Sequence, residues 1–158
     1  MDNNRFAPPK ANVEGAYSEV AAAPPLWNPN AAASWSLLFS PIFGTWLHLR
    51  NWQAMGDHER AGHARKWLIA SFVMLLVSIV LAVFLPPHLG GVTRIFNFAF
   101  LIAWYYAAAK PQVAFVKGHY GDHYPRRGWL VPIATAIGVI VASLAALVAL
   151  AMMLGARA

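Results

Sequence analysis

Four long apolar runs separated by polar loops organise this chain: residues 31–49, 67–85, 92–109 and 129–154. The second run carries no charged side chain from Trp67 to Leu85. As a helix rising ~1.5 Å per residue it spans ~28 Å, close to the ~30 Å hydrocarbon core of a bilayer. The fourth run is longer and would tilt or protrude. In lipid an unpaired backbone N–H or C=O is too costly to leave, so each run that enters must be helical. The pattern predicts an all-α fold, a small transmembrane helical bundle. Residues 1–27 instead mix scattered charges with Ala and two Pro-Pro pairs, with no apolar stretch of the signal-peptide kind. They are expected to form a disordered tail, which leaves 28–158 as the membrane domain.

The first run differs from the others. Pro41 sits at its middle and Gly44 follows. A proline inside a helix removes a backbone donor and clashes with the preceding turn, so a kink or a break is expected there. A kinked helix that crosses gives four spans; a broken one that turns back gives three spans plus a re-entrant first segment. Crossing is the favoured expectation, because the run is long enough for it. Asn30 or Ser34 is expected to cap this helix, and Pro86-Pro87 to end the second.

Charge orients the runs. The loop 50–66 holds Arg50, Arg60, Arg65 and Lys66, and the loop 110–128 holds Lys110, Lys117, Arg126 and Arg127. The connection 86–94 has only Arg94, and the chain after residue 154 only Arg157. By the excess of Lys and Arg on cytoplasmic loops, both basic loops lie in the cytoplasm and the C-terminus outside. Aromatic residues gather at the same ends: Trp46, Trp52, Trp67, Trp104, Tyr105, Tyr106 and Trp129. The expected headgroup contacts are Arg50, Arg65, Lys66, Trp67, Lys110, Arg126, Arg127 and Trp129. Composition agrees, with 59% of residues hydrophobic and 11% charged, less than half the roughly 25% charge of soluble domains. The net charge of +6 lies beside apolar runs, which points to anionic lipid and away from nucleic acid.

Candidate chemistry is sparse. The chain has no cysteine, which excludes disulfides, thiolate metal sites and thiol nucleophiles. The stretch GDHERAGHARKW, 56–67, resembles a zinc-protease motif, but His58 and His63 are five residues apart. On a helix that separates them by ~140°, so they cannot chelate one ion. Asp57 reads instead as an N-cap, with Glu59 near the positive end of the helix dipole. In the second loop Gly121 and Pro125 favour a turn around His119 and His123. Were the loops to meet, His58, His63, His119 and His123 would be the only, and weak, candidates for a metal; no metal, cofactor or catalytic constellation is expected. Both loops carry the triplet Gly-Asp-His, at 56–58 and 121–123, a faint repeat of helix, basic loop, tryptophan and helix. No Asp, Glu, Lys or His lies mid-span, which argues against proton-coupled transport and intramembrane proteolysis. Asn97, an amide within a run, is expected to bond a neighbouring helix, and Gly138, Ala142 and Ala146 form a small-residue face for helix packing.

The stretches NPNAAASWSLLFSPIFGTWLHLRNW, 28–52, and KPQVAFVKGHYGDHYPRRGW, 110–129, resemble small multi-pass bacterial inner-membrane proteins of unknown function. The resemblance covers the chain from about residue 28 onward. It implies a location and a topology class, and carries no catalytic residue. The expected function is a non-catalytic accessory or interaction protein of the membrane, for example an immunity-type protein against a membrane-acting toxin. Its partners would be anionic lipid and either a second copy or another membrane protein. The alternative is a small oligomeric channel or transporter.

Overall fold

The structure, a computed structural model, describes residues 23–155. The expectation for residues 1–22 lies outside the described residues. Six α-helices follow one another: α1 (Pro29–Phe39), α2 (Pro41–Ala54), α3 (His58–Phe84), α4 (Gly90–Trp104), α5 (Lys110–Tyr120) and α6 (Leu130–Gly155). Among the described residues the extended chain makes one isolated bridge, Leu26 to Arg126. Three helical stretches are long and apolar enough to cross a membrane: His58–Phe84, Gly90–Tyr120 and Leu130–Leu150.

The first apolar run does not form one crossing helix. At ~1.5 Å per residue α1 is ~16 Å long and α2 ~21 Å, each short of a bilayer. The break is at Ser40, with φ 116° and ψ 161°. That backbone region costs a non-glycine residue ~1–3 kcal/mol. Pro41 bars its predecessor from the helical region, so α1 stops and Pro41 starts α2 as its first residue. The two helices then fold back on each other. Phe39 lies 5.1 Å from Phe43 near the tip, Ala32 and Leu47 share a buried cluster, and Trp27 lies 6.1 Å from Trp46 at the base. Gly44 permits the approach: a Cβ there would overlap Ser36 Oγ and come within 2.7 Å of the Trp104 ring.

Other boundaries move for equally local reasons. The α1 cap is Asn28, not Asn30 or Ser34: its side chain accepts from the Asn30 and Ala31 amides at 3.0 and 3.2 Å. Pro29, suited to a first helical position, draws the start upstream. Asp57 caps α3 as expected, accepting from the Arg60 amide at 2.9 Å, and α3 ends at Phe84 before Pro86-Pro87. The third run does not end near residue 109. The helix continues through a π-turn, Tyr105–Ala109, into α5. Pro111 is the physical cause, because its ring would clash with the Ala107 carbonyl in a regular helix. The wider turn pairs the Lys110 amide with Tyr105 O, five residues back. Both Gly-Asp-His triplets begin with a positive-φ glycine just beyond a helix end, Gly56 at 73° and Gly121 at 60°. The repeat is thus a shared way of ending a helix.

Among the described residues α6 touches the rest of the chain only at its start. Pro132 is buried and Ala136 packs beside the α1–α2 hairpin. From Ile137 on, every described side chain is exposed. Gly138 has open space around it, and Ala142 and Ala146 are equally uncovered.

Candidate functional site

The ends of α2, α3 and α5 meet the chain on either side of the hairpin in a small polar head. Leu26, in the stretch expected to be tail, is fully buried. Its amide donates to Pro125 O at 2.9 Å, and the Arg127 amide donates to Leu26 O at 2.8 Å. The Trp27 indole N–H donates to Gly128 O at 3.0 Å, and the Arg127 guanidinium lies 4.6 Å from the same indole. These contacts tie residues 23–28 to the loop 121–129.

Beneath them lies a buried polar knot. Asn51 accepts from the Trp27 amide at 3.0 Å and donates to Trp27 O at 2.8 Å. Its amide also lies 3.4 Å from Gln112 Oε1, and Gln112 Nε2 donates to His48 O at 2.8 Å. His48, Asn51 and Gln112 are each no more than 1% exposed. The knot therefore joins the hairpin, the segment leading into it and α5. The His48 ring has the Gln112 side chain and the Pro29 backbone among its polar neighbours, the Trp104 indole N–H has no hydrogen-bond partner among the described residues, and the two rings meet edge to face at 5.6 Å. His48 lies outside the three long helices. Burial lowers its pKa from 6.5 to about 4, against smaller opposing effects of the Gln112 side chain and the Pro29 backbone. The ring is neutral at physiological pH, with one donor and one acceptor.

Beside His48 and Trp104 is a cavity of about 280 Å³ between α2, the start of α3 and the π-turn, with Glu59, Arg60 and His63 among its lining. Arg60 is held in place. Its guanidinium donates to Asp57 at 3.0 Å and lies over the Phe115 ring at 4.5 Å and the Trp52 ring at 5.1 Å. Pro111 supplies no N–H, so it cannot donate to the Ala107 carbonyl at α spacing or to the Tyr106 carbonyl at π spacing. A π-turn at a cavity wall is a frequent mark of a functional site.

The expected site residues fall in different places. Among the described residues no three of His, Asp and Glu lie close enough to hold a metal ion. His58 is exposed at the start of α3, His63 lies edge-on to Trp67, and His119 stacks on Phe115 at 4.2 Å; His123 is exposed in the loop. Arg50, Arg65, Lys66, Lys110 and Arg126 are exposed, and Lys110 lies 5.1 Å from the Tyr106 ring. Trp67 and Trp129 are half-buried and pack inward, against Phe100 at 5.8 Å and Trp35 at 6.4 Å. Asn97 Oδ1 accepts from the Ser78 hydroxyl at 3.0 Å, joining α4 to α3. The knot of His48, Asn51 and Gln112 was not anticipated from sequence. Its one signal is polar residues three apart, His48 and Asn51, inside an otherwise apolar helix face.

Among the described residues the fold is helical, and three helices are long and apolar enough to cross a bilayer, which is the architecture of α-helical membrane proteins. No protein family matches this chain, and no curated protein or solved structure shows significant similarity to it.

Proposed function

We propose that the protein is a non-catalytic interaction protein of the bacterial inner membrane, with three spans, a re-entrant hairpin and a cytoplasmic head. The basic loops and the head face the cytoplasm, and the end of α6 faces outward. The hairpin enters and leaves on the cytoplasmic side. Its tip lies beside Ser78 and Asn97, about midway along the apolar runs of α3 and α4. Backbone turns at that depth are tolerated where protein surrounds them. The head holds Arg65, Lys66 and Lys110 at the level of anionic headgroups.

The observation that carries the interaction reading is α6. It is anchored by its first turns and uncovered along the rest of its length, and it presents Gly138, Ala142 and Ala146 on one face. Small residues let a second helix approach closely in lipid. A photo-crosslinking residue at Ala142, irradiated in intact membranes, is expected to give protein adducts, with a second copy or another membrane protein. The same residue at Leu144, about 200° around the helix, is expected to give mostly lipid adducts. Lipid adducts alone at both positions would contradict the reading.

A second reading, a small channel or transporter, draws on one feature. A groove of about 520 Å³ runs between the hairpin tip, α3 and α4, and includes Ser36, Ser71, Ser78, Arg94 and Asn97. A unitary conductance from the purified protein in planar bilayers would favour this reading over the first.

A further inference from the structure

The hairpin fills only part of the depth that the three long helices span. From Asn28 to Leu49 it carries no Asp, Glu, Lys or Arg, so no charge bars it from hydrocarbon. One flank packs on the α3–α4 pair, where Ala33 and Trp104 share a buried cluster with Trp67 and Leu101 against it. The other flank packs on the start of α6, through Trp35 and Trp129 at 6.4 Å and through Ala136 on the Ala32–Leu47 cluster. The hairpin is thus a spacer between α6 and the α3–α4 pair. It turns at Ser40, beside Ser78 and Asn97. Beyond that level only α3, α4 and α6 continue among the described residues, and α6 is uncovered there. Leu37 and Leu38, next to the turn, are apolar and exposed, which suits a hairpin end among acyl chains.

Two extra helices therefore stand in one half of the bilayer, with no counterpart in the other. A helix with its side chains is ~10 Å across, so the pair adds ~160 Å² of protein to the leaflet that holds the hairpin. In a flat bilayer the lipid must deform to take up such a mismatch, at a cost in free energy. A body wider in one leaflet fits best where that leaflet is stretched, on the convex face of a bent bilayer. We infer that the protein partitions to membrane bent with its hairpin-bearing face convex, so that its partner is a curved lipid surface. The inference rests on the re-entrant reading above, in which that face is cytoplasmic. The membrane it fits is then one that folds inward, toward the cytoplasm. The fit is one of shape and asks for no particular headgroup, and it does not depend on which partner α6 contacts.

The test uses the full-length protein in giant vesicles of phosphatidylcholine, whose zero net charge removes electrostatic attraction. A tether pulled outward from the vesicle wall is a narrow tube with a convex outer leaflet. A membrane-impermeant maleimide dye, added outside, labels Asn30→Cys only in molecules with the hairpin in the outer leaflet. It labels Met153→Cys only in molecules of the opposite orientation. Dye intensity is divided by that of a lipid probe. A mismatch worth a fraction of a kcal/mol gives about 2-fold sorting, so labelled Asn30→Cys is expected to be enriched about 2-fold in the tube and labelled Met153→Cys depleted about 2-fold. Opposite signs are the mark of a wedge, because a plain preference for tubes moves both labels alike. Two further variants read the topology in the same vesicles. Under the re-entrant reading the Asn30→Cys/Met153→Cys double variant takes one dye per molecule, and Leu38→Cys takes none until detergent is added. With those results, sorting that is absent or of one sign overturns the inference and leaves the reading standing. Two dyes or none per molecule, or labelling of Leu38→Cys in intact vesicles, overturns the reading and the inference with it.

Discussion

Asn51→Ala is expected to destabilise the polar head by about 3 kcal/mol while leaving the three long helices in place. The substitution removes the acceptor of the Trp27 amide and the donor to Trp27 O. It also strips Gln112 of its neighbour and opens a gap in a buried site. Groups left unpaired in a buried site lose water without regaining a bond, about 1–3 kcal/mol each. Unfolding in detergent, followed by tryptophan fluorescence and far-ultraviolet circular dichroism, separates the two parts. The fluorescence transition is expected to move to lower denaturant, with helix content at its start unchanged. Asn97→Ala is the comparison, because its bond to Ser78 joins two helices within the apolar runs. Such bonds average about 0.6 kcal/mol, so its effect is expected to be several-fold smaller. Equal effects of the two substitutions would mean that the knot does not hold the head together.

Gly44→Ala tests the hairpin by the sign of its effect. By helix propensity alone, alanine in place of glycine stabilises a helix by about 1 kcal/mol. At Gly44 the added Cβ would meet Ser36 Oγ, the Trp104 ring and the Ala32 carbonyl. Overpacking of this kind costs about 1–3 kcal/mol, so a net loss is expected, and a larger one for Gly44→Leu. Gly62→Ala is the control: it also lies within a helix, but a Cβ there meets nothing within 4 Å. It is expected to raise stability by a few tenths of a kcal/mol to about 1 kcal/mol. A gain at Gly44 equal to that at Gly62 would show that α1 and α2 do not pack this closely.

The parts of the fold that were legible in sequence are those fixed by local chemistry. The charge-free run 67–85, its Asp57 cap and its end before Pro86-Pro87 all follow from residues within a few positions. Pro41 marked a break, but run length alone favoured crossing. The fold-back comes from Ser40, which turns the backbone, and from Gly44, which lets the returning helix sit against the first. Those are tertiary facts, invisible to hydropathy. The loop expected from residue 110 does not begin there, because a π-turn lets the helix absorb Pro111 and run on to Tyr120. For the site, attention to histidines in polar loops found four exposed or surface-packed rings. The buried ring is His48, whose backbone carbonyl accepts from Gln112, 64 positions further along the chain, while Asn51 beside it bonds Trp27. The spacing of His48 and Asn51 is the one local sign of the knot, and it names neither distant partner. The spacing of Gly138, Ala142 and Ala146 is readable in the sequence, but what packs on that face is not, and among the described residues nothing covers it.

The central claim is that residues 29–54 enter and leave the membrane on one side, and that three helices cross it. The chain has no native cysteine, so single cysteines can be placed without background. Asn30→Cys, Leu38→Cys and Met153→Cys mark the hairpin base, its tip and the far end of α6. Labelling with a membrane-impermeant maleimide, in right-side-out and inverted vesicles, reads the side of each. Asn30→Cys is expected to react only from the cytoplasmic side, Met153→Cys only from the outer side, and Leu38→Cys from neither until the bilayer is dissolved. Reaction of Asn30→Cys from the outer side, with Met153→Cys also outside, would mean that the first run crosses, and would contradict the re-entrant hairpin.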